Sequence, residues 1–199
     1  EAPSPYWGEE IVWNDPVNPN QPHMDRKGRI WFNSQMRADQ PAFCKTGSTN
    51  PYAQHFPLDQ PAKGLAAYDP KTGKFDLIDL CFSGQHGIFG TDADETMYFS
   101  SGFGMGWFNT RVWDKTHNDE MAQGWCPAVI DYNGDGRITS GWTLANQPAD
   151  PTKDRAVSGP PGYGVAFNEA DGSAWYVAGV FAGATGAVPG KILRLNKGA

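Results

Sequence analysis

The sequence predicts an all-β fold of repeated four-stranded antiparallel sheets, and three observations carry that prediction. Gly 24 and Pro 16 together make about a fifth of the 199 residues, enough to interrupt most helices. Three segments share one pattern: Asp25-Arg-Lys-Gly28-Arg-Ile-Trp31-Phe32, Asp92-Ala-Asp-Glu-Thr-Met-Tyr98-Phe99 and Glu169-Ala-Asp171-Gly172-Ser-Ala-Trp175-Tyr176. Each is a polar turn followed by two adjacent aromatics, as expected where two short strands meet at a tight turn. Finally, Leu65–Asp69, Pro70–Gly73 and Lys74–Leu80 read as strand, turn and strand, with Pro and Gly where a type I turn favours them.

Two hairpins of these kinds make one four-stranded antiparallel unit, and repetition of such units is the pattern of β-propeller blades. About three blades fit the chain, over 18–82, 84–143 and 158–199, with 8–14 as a closing strand. A closed ring normally needs four or more blades. The chain is therefore expected to be part of a larger propeller, or to complete its ring with a partner protein. The aromatic pairs stand 67 and 77 residues apart, wider than the roughly 40–45 residues of a minimal blade. The excess is assigned to polar, Pro-rich insertions over 36–63, 102–125 and 144–161, the kind of loop where binding residues gather. Strand 74–80 shows poor alternation and is expected to be covered on both faces. Helical periodicity is nearly absent; 115–123 reads as a short surface helix or turn.

Eight Trp, seven Tyr and eleven Phe supply ample core material, and the net charge of −6 offers no footprint for nucleic acid. The longest weakly apolar run, 175–188, contains three glycines and a threonine, too short and broken to span a bilayer. Ala2-Pro3-Ser4-Pro5 reads like the exposed start of a mature secreted chain. Of the three cysteines, Cys44 and Cys81 flank strand or loop ends, whereas Cys126 opens an apolar run. The first two are expected to pair in an oxidising compartment; three buried free thiols are the alternative.

Gln85-His-Gly-Ile88 before its polar turn, and Tyr68-Asp-Pro-Lys-Thr-Gly-Lys-Phe75, resemble blades of the streptogramin (virginiamycin B) lyase-like propellers. Pro41-Ala-Phe-Cys44, Asp79-Leu-Cys81-Phe82, Ser100-Ser-Gly102, Gly106-Trp-Phe-Asn-Thr110 and Gln123-Gly-Trp125 resemble a poorly characterised exported bacterial branch of that superfamily. The resemblance spans about 18–196. It implies a periplasmic or secreted propeller and, in the lyase proper, ring opening of an ester-linked substrate by a channel histidine and a metal. Here His86 alone matches such a histidine, and no matching pair of glutamates for Mg²⁺ is evident.

The residues themselves offer several candidate sites. His86 and Tyr163 each stand twelve residues before an aromatic pair, a position that begins an innermost, channel-facing strand. His23 enters the first blade in a different register. These three are the candidate catalytic group, since neutral imidazole can act as a base or bind a metal and tyrosine can orient a carbonyl or water. Asn20 and Gln21 are placed at the channel entrance as ligand-binding residues. Arg37, with Arg29 and Arg111, is a candidate clamp for an anionic or carbonyl group. Trp107, with Phe103, Trp113 and Trp125, either forms a stacking platform or pins loops to the blades. Asp131, Asn133 and Asp135, followed by Gly136, mimic the first positions of a Ca²⁺ loop, but Trp142 stands where a bidentate Glu belongs; a hairpin turn rich in turn formers is the alternative. Ca²⁺ or Mg²⁺ is thus the cofactor expectation. Two functions remain open: a metal-assisted lyase or hydrolase acting on a small organic molecule, and a non-catalytic binding or scaffold module in a larger assembly.

Overall fold

The Asp25–Gly28 turn shows how each repeat is built. The Asp25 carboxylate accepts from the Lys27 and Arg29 amides, both at 2.9 Å, and Gly28 takes the left-handed φ of 84° that closes the turn cheaply. The chain then runs straight into Trp31 and Phe32. The same device recurs where Asp92 accepts from the Thr96 amide and where Asp171 accepts from the Ser173 amide.

The computed structural model describes residues 21–36, 39–101, 103–139, 141–157, 161–178 and 191–195. Within them, strands far outnumber helices. The first sheet is an antiparallel meander of β1 (His23–Met24), β2 (Ile30–Met36), β3 (Lys63–Asp69) and β4 (Lys74–Ile78). The second repeats it with β5 (Gln85–Phe89), β6 (Thr96–Ser100), β7 (Gly104–Asn109) and β8 (Gln123–Pro127). A two-stranded ladder joins β9 (Val129–Ile130) to β10 (Arg155–Ala156). The third sheet contains β11 (Pro161–Asn168), β12 (Ser173–Ala178) and β13 (Lys191–Leu195). The three aromatic pairs fall on β2, β6 and β12, the second strand of each sheet. The expected all-β class and repeated antiparallel sheets are thus present. Segment 8–14 lies outside the described residues.

The second sheet is buried on both faces by period-two alternation. Met97, Phe99 and Phe108 join a core with Trp31, Leu65, Ile78, Leu80 and Phe82. Tyr98, Met105, Trp107 and Cys126 face the other way, toward Ala174, Tyr176 and Leu195 of the third sheet. Tyr98 stacks on Phe167 across that interface at 5.7 Å. The first strands lie together as well: β5 packs beside both β1 and β11.

Two expectations need correction. β4 is not covered on both faces, because it forms the outer edge of its sheet; Lys74 to Leu77 are exposed and only Ile78 is buried. The stretch 102–125 is not an insertion: it supplies the third strand of the second sheet and the start of the fourth. The stretch 115–123, read as a short helix or turn, holds a turn over 119–122, and a short helix precedes that turn. This helix is α2 (Thr110–Thr116), begun by the Asn109 side chain, which accepts from the Val112 amide.

The described part of the 36–63 insertion, from 39 onward, is clamped. Cys44 and Cys81 form the expected disulfide across a separation of 37 residues. Gln40 donates to the Leu58 and Cys81 carbonyls. A short 3-10 turn (Ala42–Cys44) precedes α1 (Pro51–His55), where the Asn50 side chain accepts from the Tyr52 and Ala53 amides and proline fills the first turn. Cys126 is the free cysteine among the described residues. No helix of the described residues is long and apolar enough to cross a membrane.

Candidate functional site

The site is built where β1 and β5 approach. β5 begins with a bulge: Gln85 pairs with Ser100 and Ile88 with Tyr98, so the partner strand is one residue shorter than the His86–Gly87 side. β11 carries an irregularity at the corresponding place, between Pro161 and Val165. His86 and Tyr163 therefore occupy corresponding bulges, as their common twelve-residue offset predicts. Bulges re-aim side chains and are frequent beside functional sites. Nothing is described of the Tyr163 side chain.

His86 adopts φ 48° and Gln21 φ 47°, a conformation that costs an ordinary residue free energy and gathers at functional sites. The two meet directly, with Gln21 Nε2 2.6 Å from His86 Nδ1. The amide nitrogen can only donate, so Nδ1 accepts in this contact. His23 pairs with Trp31 across β1 and β2, and its ring stands edge-on to Phe89 of β5 at 6.5 Å. Burial lowers its pKa from the usual 6.5, because desolvation disfavours the imidazolium. Its Nε2 is buried with no hydrogen-bond partner among the described residues.

Glycines let the two sheets come this close. A Cβ on Gly87 would stand 3.6 Å from His23 Nε2 and 2.8 Å from the Phe99 ring. One on Gly84 would lie 3.0 Å from Asn33 Oδ1 and 2.8 Å from the same ring. Asn33 Oδ1 is also buried without a partner among the described residues. Two orphaned polar atoms of the first sheet thus border the short 84–87 segment, over the Phe99 ring. Such atoms are rare in native interiors and mark places where another polar group belongs.

The structure therefore brings together Gln21, His23 and His86 of the predicted group. Asn20 and Arg37 lie outside the described residues. Arg29 and Arg111, named as possible clamps, are already committed: Arg29 contacts Asp25 at 2.7 Å and Asp114 at 2.6 Å, and Arg111 contacts Glu95 at 2.6 Å. Asn33 was not singled out by sequence. Its signal is a polar side chain directly after the aromatic pair on a buried strand.

Trp107 takes part in a different site. With Tyr52, Trp125 and Trp175 it lines a cavity of about 690 Å³. Trp113 and Phe103 pin loops instead: Trp113 donates to Asp119, and Phe103 packs on Phe56 and Phe82. Trp125 does both, since its indole donates to the Phe56 carbonyl.

The Asp131–Asp135 turn is closed by its own amides. Asp131 accepts from Gly134, Asp135 and Gly136, and Asp135 accepts from Arg137. Among the described residues no three His, Cys, Asp or Glu side chains converge closely enough to hold a metal ion. Two carboxylates and one amide are a thin donor set for Ca²⁺, which takes six to eight oxygens, and the turn amides already engage both Asp131 oxygens.

Comparison with known proteins finds no matching family model, no matching curated protein and no matching solved structure.

Proposed function

We propose that the sheets are blades of an exported β-propeller, and that its inner strands hold a small organic molecule by a carbonyl or hydroxyl group. The contacts come from Gln21, His23, Asn33 and His86. The observation that carries this reading is the pair of buried atoms without a partner among the described residues, His23 Nε2 and Asn33 Oδ1, bordering the short 84–87 segment at the start of β5. A ligand bearing both a donor and an acceptor would satisfy them, and leaving them bare is costly. The resemblance of the blades to lyase-like propellers supports the same reading. The disulfide supports export, since such bonds persist in oxidising compartments. The three blade-like sheets among the described residues are fewer than a closed ring holds, which fits a propeller completed by further chain or a partner protein.

A second reading, lyase or hydrolase chemistry, is favoured by His23. An imidazole held neutral, with a buried Nε2 that no described side chain engages, is suited to accept a proton from a carbon beside a carbonyl or from water.

Binding of 2-pyrrolidinone, which carries both a donor and an acceptor, followed by saturation-transfer NMR, tests the first reading; the lactone γ-butyrolactone, with acceptors alone, serves only as a hydrolysis substrate. Binding to the wild type should weaken at least tenfold in His23→Gln and in His86→Ala. No binding, or equal binding by folded variants, overturns it. Acid release from the lactone in a pH-stat, present in the wild type and lost in His23→Gln, separates catalysis from binding.

A further inference from the structure

The cavity around Trp107 is independent of the inner-strand site and has its own chemistry. It lies between the outer strands of the second and third sheets, β8 and β13, and is closed by α1 and the turn after β9. Its volume of about 690 Å³ falls within the 300–1,000 Å³ range of small-molecule sites. The wall is aromatic and braced. Tyr52 meets Trp107 edge-on and Trp125 at a tilt, both at 5.4 Å. A Cβ on Gly124 would strike the Trp107 and Tyr52 rings at 2.4 and 2.7 Å, so the absence of a side chain at this point of β8 lets those rings approach the strand closely. Trp175 closes the opposite side.

Charge narrows the ligand. Asp131 lines the cavity and keeps its negative charge, with both oxygens accepting from turn amides. Arg194 lies over Trp175 and pairs with Asp171 at 3.8 Å. Burial pushes the Cys126 thiol up to about 12, keeping it uncharged. His55 packs against Trp142. Arg137 remains: its backbone amide donates to Asp135, while its guanidinium pairs with no acidic side chain among the described residues. A largely apolar cavity whose rim carries one guanidinium without a carboxylate partner among the described residues can seat a planar apolar body carrying one anionic group.

We propose that this cavity binds an aromatic carboxylate of two or three rings, the rings stacked among Tyr52, Trp107 and Trp175 and the carboxylate on Arg137. Calorimetric titration with 1-naphthoate and its neutral counterpart 1-naphthamide tests this. Wild type should bind naphthoate saturably at one per chain. Arg137 is exposed, and Arg137→Gln removes no described side-chain bond. That variant should weaken naphthoate at least tenfold while changing naphthamide less than twofold. Trp107→Leu, checked for its fold by circular dichroism, should lose naphthoate. The proposal is overturned if naphthoate does not bind, if Arg137→Gln affects both probes alike or neither, or if folded Trp107→Leu binds naphthoate as the wild type does.

Discussion

The Asp25 carboxylate is wholly buried, and every acceptor position it offers is used. It receives the Lys27 and Arg29 amides, the Arg29 guanidinium at 2.7 Å and the Trp31 indole at 2.9 Å. Burial alone would raise its pKa. The Trp31 and Arg29 hydrogen bonds, together with the Arg29 charge, outweigh that and hold it below the usual 3.8. Arg29 also reaches Asp114, so the turn of the first sheet is tied to the helix of the second. Removing Asp25 leaves the Trp31 indole and two turn amides without their acceptor and Arg29 with Asp114 alone, a loss comparable to the roughly 3–5 kcal/mol of breaking a buried charged pair. Asp25→Ala is expected to destabilise by that order, read from the urea midpoint at constant m-value. A loss below about 1 kcal/mol, the usual size for exposed pairs, would show that water reaches Arg29 and replaces the contact.

At the scale of elements, the disulfide is the main staple. It closes a loop across 37 residues, and the chain-entropy estimate gives about 3–4 kcal/mol for a loop of that size. The Cys44→Ser/Cys81→Ser double variant should therefore unfold at markedly lower urea than the wild type. Mass spectrometry of the unreduced, denatured wild type after alkylation should show one labelled thiol, Cys126. Three labelled thiols would refute the pairing. The disulfide was legible because both cysteines stand at element ends near one repeat. The aromatic pairs were legible because turn chemistry and pairing patterns are local. β4 misled because its apolar residues, Phe75 and Leu77, sit on an edge, where Phe75 packs sideways on Tyr68 and Phe32 rather than into a core. α1 and α2 were hidden in long polar stretches, although Asn50-Pro51 and Asn109 are ordinary cap signals. Asn33 and Arg137 could not be read at all. Their significance lies in what other strands fail to offer them, which depends on tertiary neighbours.

For the whole molecule, acid acts in two windows. His23 has a folded pKa below 6.5, so the unfolded chain binds more protons as pH falls beneath that value, and stability declines with it. Asp25 and Asp114 have folded values below 3.8. Their contribution is full above that pH and is lost as pH falls further. Urea midpoints at pH 7.5, 5.0 and 3.0 should show both losses. His23→Gln should flatten the first interval and leave the second. An equal decline in the variant between pH 7.5 and 5.0 would remove His23 as its cause. The sandwiched second sheet has a further consequence for biosynthesis. Each sheet is a run of sequence neighbours, so the chain can fold in the order in which it emerges. Residues 85–127 can cover Met97, Phe99 and Phe108 at once against the first sheet, but Tyr98 and Met105 stay uncovered until the third sheet arrives. During that interval the growing chain presents a sticky half-finished surface, so chaperone demand should peak while the second sheet awaits the third.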